Sequence, residues 1–204
     1  MKLYYSPGAC SLAPHIVLRE LGAEFTLEKV DTRAHKLADG GDFYAVNPKG
    51  YVPVLELDDG DRLTEGVVIQ QYLADGKPDA GLAPPRGTKE RRKLEEWLVF
   101  LTTEVHKSFS PVFNPASADD VKAAFKEKIG ERLNLVENAF TDGRPFLTGD
   151  TFTVADAYLF TLTNWTKFVG MDLGRWPSLQ NHAARVAGRP AVQAALKAEG
   201  LLAA

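Results

Sequence analysis

The sequence predicts an α/β plus all-α protein, in which a small βαβαββα domain is followed by an all-helical domain. Residues 1–80 alternate short apolar strands with amphipathic helical stretches, whereas residues 87–204 show helical periodicity alone. The join between them, KPDAGLAPPRG, is rich in Pro, Gly and Ala, as is typical of a linker. We therefore predict a first domain over 1–80, a linker over 77–86 and a second domain over 87–204.

Local patterns place the elements of the first domain. Bulky or alternating apolar residues predict strands at 2–5, 24–30, 53–57 and 62–64. Apolar spacing predicts helices at 11–21 and 67–74, and a weak helical turn at 42–46. A right-handed crossover makes the first two strands parallel, and the Asp58-Asp59-Gly60 turn makes the last two antiparallel.

The second domain is predicted to contain only helices. Their predicted ranges are 89–111, 118–140, 153–169, 178–187 and 191–199. Pro111 is expected to limit the first helix, because proline has no backbone N–H to donate. Thr153 can cap the third helix and Asp156 stands at its third position, which predicts a capping box with an acid in place of the usual Glu or Gln.

The composition excludes several classes of protein. Apolar residues make up 45% and charged residues 25% of the 204 residues, values typical of a globular protein. The net charge of −3 argues against a nucleic-acid-binding surface, and no apolar run approaches the roughly 20 residues that span a bilayer. The first ten residues suit a strand and a turn rather than a signal peptide. We therefore expect a cytoplasmic protein that binds neither nucleic acid nor membranes.

Cys10 is the sole cysteine of the sequence, so no intramolecular disulfide can form. It follows the first strand and a Pro-Gly turn, at the start of the first helix, where the helix dipole favours a thiolate. Without a second cysteine there is no dithiol pair, so a partner thiol would come from a small molecule or another protein. The alternative is an inert, buried cysteine.

Two further segments of the first domain could offer backbone groups to a ligand. In the cis form, the Val52-Pro53 bond would turn the Val52 N–H and C=O outward to pair with an extended peptide; a trans proline at a strand start is the alternative. Glu65 and Gly66 begin a helix, where free amides can hold a carboxylate and Glu65 can accept from an ammonium group. Alternatively, Glu65 only complements the helix dipole.

His106 is the candidate for chemistry in the helical domain. Its spacing from Val99, Thr103 and Ser110 puts all four residues on one helix face, away from the apolar stripe. A surface or interface histidine with satisfied hydrogen bonds is the alternative. The other histidines show no metal-ligand spacing and the sequence has no glycine-rich phosphate loop, so we expect no metal site.

Four segments together resemble the glutathione S-transferases of the bacterial beta class. They are MKLYYSPGACSLAPHIVLRE, NPKGYVPVLELDDGDRLTEGVVIQQYLAD, EVHKSFSP and GDTFTVADAYLF, in the order in which the family has them. The resemblance covers almost the whole chain. It implies a thioredoxin-like first domain, a helical second domain with the co-substrate site and the contacts of a homodimer, and an enzyme that conjugates reduced glutathione to hydrophobic electrophiles in detoxification.

The resemblance also assigns residues to glutathione. Cys10 matches the cysteine that contacts the glutathione sulfur, often as a mixed disulfide. Val52, before the family's cis-proline at Pro53, matches the residue whose backbone pairs with the cysteinyl part. Glu65 and Gly66 match the pair that holds the γ-glutamyl end, although Gly66 can offer only its amide where many other classes have serine.

In the helical domain, the resemblance points to the segment that faces the glutathione thiol, with His106 in the place of a catalytic histidine. The segment consists of Thr103, Glu104, Val105 and His106. An unperturbed imidazole pKa of about 6.5 suits either accepting the thiol proton or stabilising the thiolate by charge. The co-substrate candidates are Tyr5, Phe109, Phe113 and Trp165, which also suit an ordinary core.

Two positions depart from the family pattern. Val99 stands where members commonly have asparagine that reaches glutathione across the dimer interface, and valine cannot make that hydrogen bond. His35 stands where they often have lysine, with Lys36 next to it as a substitute. Both departures concern glutathione binding, so they predict weaker binding than is usual unless Lys36 takes the place of the family's lysine.

Two other functions remain open from the sequence. Cys10 could exchange disulfides with glutathione, which is a redox reaction rather than a conjugation. The fold could also serve a non-catalytic binder, but Cys10, Pro53, Glu65 and His106 are all present, which favours catalysis.

Overall fold

A computed structural model describes residues 1–202 of the protein. The chain forms two compact units, of which unit 1 comprises Met1–Ala83 and the chain from Gly188 onward, and unit 2 comprises Pro84–Ala187. The first division lies within the predicted linker. The second differs from the prediction, because the last helix belongs to unit 1 rather than to the helical domain.

Unit 1 is built on a mixed five-stranded sheet of order β3-β2-β1-β4-β5. Its strands are β1 (Lys2–Tyr5), β2 (Thr26–Asp31), β3 (Lys36–Leu37), β4 (Val54–Glu56) and β5 (Arg62–Thr64). The parallel pairing of β1 with β2 and the antiparallel pairing of β4 with β5 confirm the predicted topology. The two-residue β3 was not predicted, since it is too short to carry a period.

Three helices complete unit 1. They are α1 (Leu12–Glu20), α2 (Gly66–Gly76) and, from the end of the chain, α8 (Pro190–Ala198). Short 3₁₀ turns lie at Phe43–Ala45 and Pro78–Ala80. Helix α8 buries Val192 and Ala195 and packs on α1, so its apolar face is covered within unit 1.

Unit 2 is helical, as predicted. Its α-helices are α3 (Lys89–Phe100), α4 (Lys107–Phe113), α5 (Asp119–Asn138), α6 (Val154–Asn164) and α7 (Pro177–Ala187). Shorter 3₁₀ segments follow α6 at Trp165–Val169 and Leu173–Arg175. The first predicted helix is interrupted by a π-helical turn at Leu101–His106, and it ends two residues beyond Pro111 rather than at it. Over residues 1–202, none of the helices has the length and apolar character to cross a membrane.

The predicted capping box is present at the start of α6 and is part of a larger buried network. Asp156 Oδ2 accepts hydrogen bonds from the Thr153 backbone N–H at 2.8 Å and from its hydroxyl at 2.9 Å. Its Oδ1 accepts from the Leu147 backbone N–H at 2.8 Å and from His182 Nε2 at 2.9 Å. Asp156 and His182 are both fully buried, so one carboxylate joins α6, α7 and the preceding loop.

We expect Asp156→Asn to lower the free energy of unfolding by about 3 kcal/mol, because an amide replaces one of two acceptor oxygens in a buried network. Asp120→Asn, in the exposed first turn of α5, is the matched control and should cost less than about 1 kcal/mol. Urea titration of both variants measures the difference. Equal losses would show that the network around Asp156 is no stronger than an exposed helix start.

Candidate functional site

Cys10 lies in the turn that leads from β1 into α1, and its thiol is half-buried. The thiol donates to the carbonyl oxygen of Val52, with 3.3 Å between Sγ and oxygen. The amides of Leu12 and Ala13 bond to the carbonyl oxygens of Ala9 and Cys10 itself. The turn therefore uses two of the amides at the start of α1, and the helix dipole remains as the field that favours a thiolate.

The turn before Cys10 is held by a buried hydroxyl. Ser11 is fully buried, and its Oγ lies 3.2 Å from both the backbone nitrogen and the carbonyl oxygen of Ser6. Ser11 therefore holds the turn in place through its contacts with Ser6.

The structure brings the predicted glutathione residues of unit 1 to one region. The Val52-Pro53 bond is cis, as predicted. Gly66, at the start of α2, lies against Pro53, since a Cβ on Gly66 would stand 3.6 Å from Pro53 Cγ. Through its contact with Val52, Cys10 joins this group. Cys10, Val52, Pro53 and Gly66 are therefore neighbours although they come from three separate parts of the chain.

Glu65 has a left-handed backbone conformation with φ of 65°, which is costly for a residue other than glycine. Its carboxylate is exposed and receives Lys49 Nζ at 2.8 Å, while the same ammonium group lies 3.0 Å from the Thr64 hydroxyl. Sequence analysis did not find Lys49, because sixteen residues separate it from Glu65. Strain at an exposed acidic residue that begins a helix is typical of a binding site.

Gln70 is a second residue that the sequence analysis missed. It is fully buried on α2, and its Nε2 donates to the carbonyl oxygen of Gly66 at 3.1 Å. Its Oε1 is buried and has no hydrogen-bond partner among the described residues. This hydrogen bond therefore helps to fix Gly66 at the start of α2, where we expect a ligand carboxylate to bind.

His35 is held by packing rather than presented to a ligand. Its ring stacks on Tyr44 with 4.5 Å between centroids, and its backbone is left-handed with φ of 52°. A Cβ on Gly50 would meet the ring at 3.0 Å, so only glycine allows this close packing. His35 Nδ1 is buried without a hydrogen-bond partner. Lys36 is exposed on β3 and is the freer of the two predicted side chains.

The π-helical turn changes which way His106 faces in unit 2. The predicted shared face is wrong, because Val99, Thr103 and Ser110 are exposed while His106 turns toward aromatic side chains. A π-helical turn contains more residues than an α-helical one and so rotates the residues that follow it. His106 Nδ1 lies 2.6 Å from the hydroxyl oxygen of Tyr158, and its ring meets Trp165 edge-on at 4.8 Å.

The His106 imidazole is neutral in the free protein. Burial lowers its pKa to about 4, and the positive charge of Lys107 adds a smaller effect in the same direction. At neutral pH and without ligand, the ring therefore carries no positive charge. A neutral ring accepts a proton at Nε2 only in the tautomer whose Nδ1–H donates to Tyr158 Oη.

The other predicted residues of this segment have different surroundings. Thr103 is exposed and its hydroxyl donates to the Val99 carbonyl oxygen at 3.0 Å. Glu104 forms an ion pair with Arg132 on α5, with 2.9 Å between oxygen and nitrogen. Val105 is fully buried in the core of unit 2 and offers no side chain to a ligand.

The predicted co-substrate residues of unit 2 form one aromatic cluster with His106. Trp165 contacts Phe109 at 5.4 Å and Phe113 at 5.6 Å between ring centroids. Phe109 is fully buried and belongs to the core, whereas Phe113 is 45% exposed and can meet a ligand. Tyr5 lies in unit 1, where burial and then Glu199 raise the pKa of its phenol, so it keeps its proton. Among the described residues no three metal-ligating side chains come together.

Comparisons with known proteins match this architecture in both parts of the chain. Residues 8–75 match the family "Glutathione S-transferase, N-terminal domain", and residues 100–190 match "Glutathione S-transferase, C-terminal domain". The chain is 48% identical to glutathione S-transferase GstA of Escherichia coli O157:H7 over 98% of its length and 100% of the relative's. The chain belongs to the glutathione S-transferase family.

One solved structure indicates the class of this glutathione S-transferase, and a second contains glutathione. A bacterial beta-class enzyme from Sphingomonas chungbukensis is 49% identical with a TM-score of 0.96, over 99% of this chain and 100% of that one. A sphingomonad glutathione S-transferase complexed with glutathione is 48% identical with a TM-score of 0.94, over the same shares. The predicted beta class and the predicted fold are confirmed.

The lowered pKa of His106 makes the stability of this transferase depend on pH. Because the folded protein holds the pKa near 4 and the unfolded chain near 6.5, the unfolded chain binds more protons between these values. Stability is therefore fully present above pH 6.5 and falls as the pH drops toward 4.

We expect this group to lower the free energy of unfolding by about 2 kcal/mol between pH 7 and pH 5. The His106→Asn variant should lack that contribution, and comparing it with the parent protein removes the effect of the other histidines. Urea titration at both pH values measures the difference. Identical pH dependence in the two proteins would mean that burial does not lower the pKa of His106.

Proposed function

We propose that this transferase binds glutathione along Val52, Glu65 and Gly66 and conjugates it, through its sulfur, to hydrophobic electrophiles. The relatives named glutathione S-transferases support the reaction class. The proposed position of glutathione rests on the contact between Cys10 Sγ and the Val52 carbonyl oxygen. That oxygen would accept from the cysteinyl N–H of glutathione, so a ligand bound there has its own sulfur close to Cys10.

The start of α2 suits the γ-glutamyl end of glutathione. The first amides of a helix have no intrahelical partner and favour an anion, so Gly66 and Val67 would hold the ligand carboxylate. The exposed carboxylate of Glu65 would accept from the ligand ammonium group. Lys49, already in contact with Glu65, would add positive charge for the same ligand carboxylate.

Conjugation forms a bond between the glutathione sulfur and an electrophilic carbon and breaks the bond to the leaving group. The thiol proton leaves before or during attack, and the neutral imidazole of His106 is our candidate to accept it. Phe113 and Trp165 would contact the apolar part of the electrophile, since their rings pack together and that of Phe113 is exposed. Phe109 supports them from the core.

Exposed apolar residues in both units support a homodimer. Val68 and Tyr72 lie one turn apart on α2 and are 48% and 45% exposed, and Tyr51 is 68% exposed. Val99 on α3 is 58% exposed. Apolar surface of this extent commonly marks a contact between proteins. We further propose that the enzyme works in the cytoplasm, where reduced glutathione is its co-substrate.

We expect the protein to conjugate glutathione to a chromogenic aryl halide. His106→Ala should lower kcat at saturating glutathione by at least about tenfold, because a positioned proton acceptor is lost. Cys10→Ala should keep part of the conjugation, since the attacking sulfur belongs to glutathione.

Steady-state kinetics of these variants test both roles. Ser110→Ala, at an exposed position one turn after His106, is the control and should match the parent protein. Parent turnover in His106→Ala would remove His106 from the reaction, and complete loss in Cys10→Ala would make Cys10 essential for conjugation.

Thiol-disulfide exchange at Cys10 is a second candidate, favoured by the same Sγ to Val52 contact. We expect oxidised glutathione to form a mixed disulfide with Cys10, which releases one reduced glutathione. Intact mass spectrometry should show the added mass, and dithiothreitol should remove it. Cys10→Ser is the control and should gain no mass. A parent protein that gains none under the same conditions would refute exchange at this residue.

A further inference from the structure

We propose that Glu199, at the end of α8, is a positioning residue for the turn that carries Cys10. Its carboxylate holds the Gly8 amide and, through it, fixes where the Cys10 thiol stands. The proposal rests on the proposed function only in one respect, namely that the position of Cys10 matters for its reaction with glutathione.

Glu199 reaches two parts of unit 1 at once. Its Oε2 accepts from the backbone N–H of Gly8 at 2.9 Å, and its Oε1 lies 2.8 Å from His15 Nδ1. The side chains of Glu199 and His15 are both 0% exposed. A carboxylate removed from water in this way needs hydrogen-bond donors, so Gly8 and His15 are held where the carboxylate requires them.

Arg19 indicates which ring nitrogen of His15 carries the proton. Arg19 Nε donates to His15 Nε2 at 3.4 Å, so Nε2 carries a lone pair and the ring proton is on Nδ1. His15 Nδ1–H then donates to Glu199 Oε1. The ring of Phe25 meets His15 edge-on at 5.6 Å and also lies under the Arg19 guanidinium at 4.9 Å. This packing leaves the imidazole little freedom to turn away from the carboxylate.

The turn from Ser6 to Ser11 requires such external support. Gly8 has a φ of 70° in the left-handed region, where glycine pays no steric penalty but has the most freedom to move. Ser11 binds the first residue of the turn from within, and Glu199 binds Gly8 from outside. Leu201 covers the same glycine, since a Cβ there would stand 3.5 Å from Leu201 Cδ2. The end of the chain thus fixes the turn two residues before Cys10.

An ion pair at the opposite end of the same two helices provides a matched control. Arg189, before the start of α8, donates to both carboxylate oxygens of Glu20 at the end of α1, at 2.6 and 2.8 Å. Glu199, after the end of α8, meets His15 and Gly8 near the start of α1. The helices are therefore antiparallel, and Glu20→Gln loosens the end of the pair that is far from the Cys10 turn.

The first experiment measures the turn itself by hydrogen–deuterium exchange of a peptide covering residues 6–11. Glu199→Gln keeps the shape of the side chain but offers one acceptor oxygen to two donors. We expect faster exchange of this peptide than in the parent protein, and unchanged exchange in Glu20→Gln. Leu201→Ala should show a smaller increase in the exchange of this peptide. If Glu199→Gln does not fold, Leu201→Ala tests whether contacts from the segment after α8 hold the turn. Unchanged exchange in a folded Glu199→Gln protein would overturn the proposal, and so would unchanged exchange in Leu201→Ala if Glu199→Gln does not fold.

The second experiment measures the Cys10 thiol in the same proteins. A misplaced group loses reactivity toward a bound partner, so the rate of mixed-disulfide formation with oxidised glutathione should fall about tenfold in Glu199→Gln. Alkylation by iodoacetamide, which needs no bound geometry, should stay within about twofold of the parent rate. A general loss of folding would change both rates, and Glu20→Gln should change neither.

The outcomes separate this proposal from the proposed function. Faster exchange of the turn with an unchanged disulfide rate would overturn the positioning role, and so would equal rate losses in Glu199→Gln and Glu20→Gln. A parent protein that forms no mixed disulfide would refute exchange at Cys10. In that case the hydrogen exchange of residues 6–11 still decides whether Glu199 holds the turn.

Discussion

The contact between the Cys10 thiol and the Val52 carbonyl oxygen is the constraint on which the candidate site in unit 1 depends. It joins a turn that follows β1 to a cis-proline segment more than forty residues later in the chain. Further contacts support it from each side. Ser11 and Glu199 provide this support for the turn, and the packing of Gly66 against Pro53 provides it for the other segment.

In each unit, one buried carboxylate joins segments that are separate in the sequence. Asp156 joins the start of α6 to α7, and Glu199 joins the end of α8 to α1 and the Cys10 turn. In both cases a buried histidine and backbone amides supply the donors. Such a network is costly to break, because each lost partner leaves a buried charge or donor unpaired. The network therefore fixes the relative positions of the segments that it joins, which non-directional apolar packing alone would not do.

Local signals in the sequence predicted the regular elements, and long-range contacts account for what it missed. Strands β1 and β5 have the predicted bounds, and Thr153 caps α6 as predicted, because turn and capping residues act within a few positions. Lys49 and Glu199 carry no such local signal, since their partners lie far away in the sequence. The face of His106 was mispredicted because apolar spacing does not reveal a π-helical turn.

The charge of His106 determines when it can act in the proposed reaction. In the free protein, burial and Lys107 keep the ring neutral, whereas a free thiol has a pKa of about 8.5 and holds its proton at neutral pH. Proton transfer from such a thiol to such an imidazole is therefore energetically unfavourable. A thiolate close to the ring favours the imidazolium, so the presence of each charge lowers the cost of the other. In the proposed reaction the proton would therefore move only with glutathione bound, and the hydrogen bond to Tyr158 would keep the ring oriented before that step.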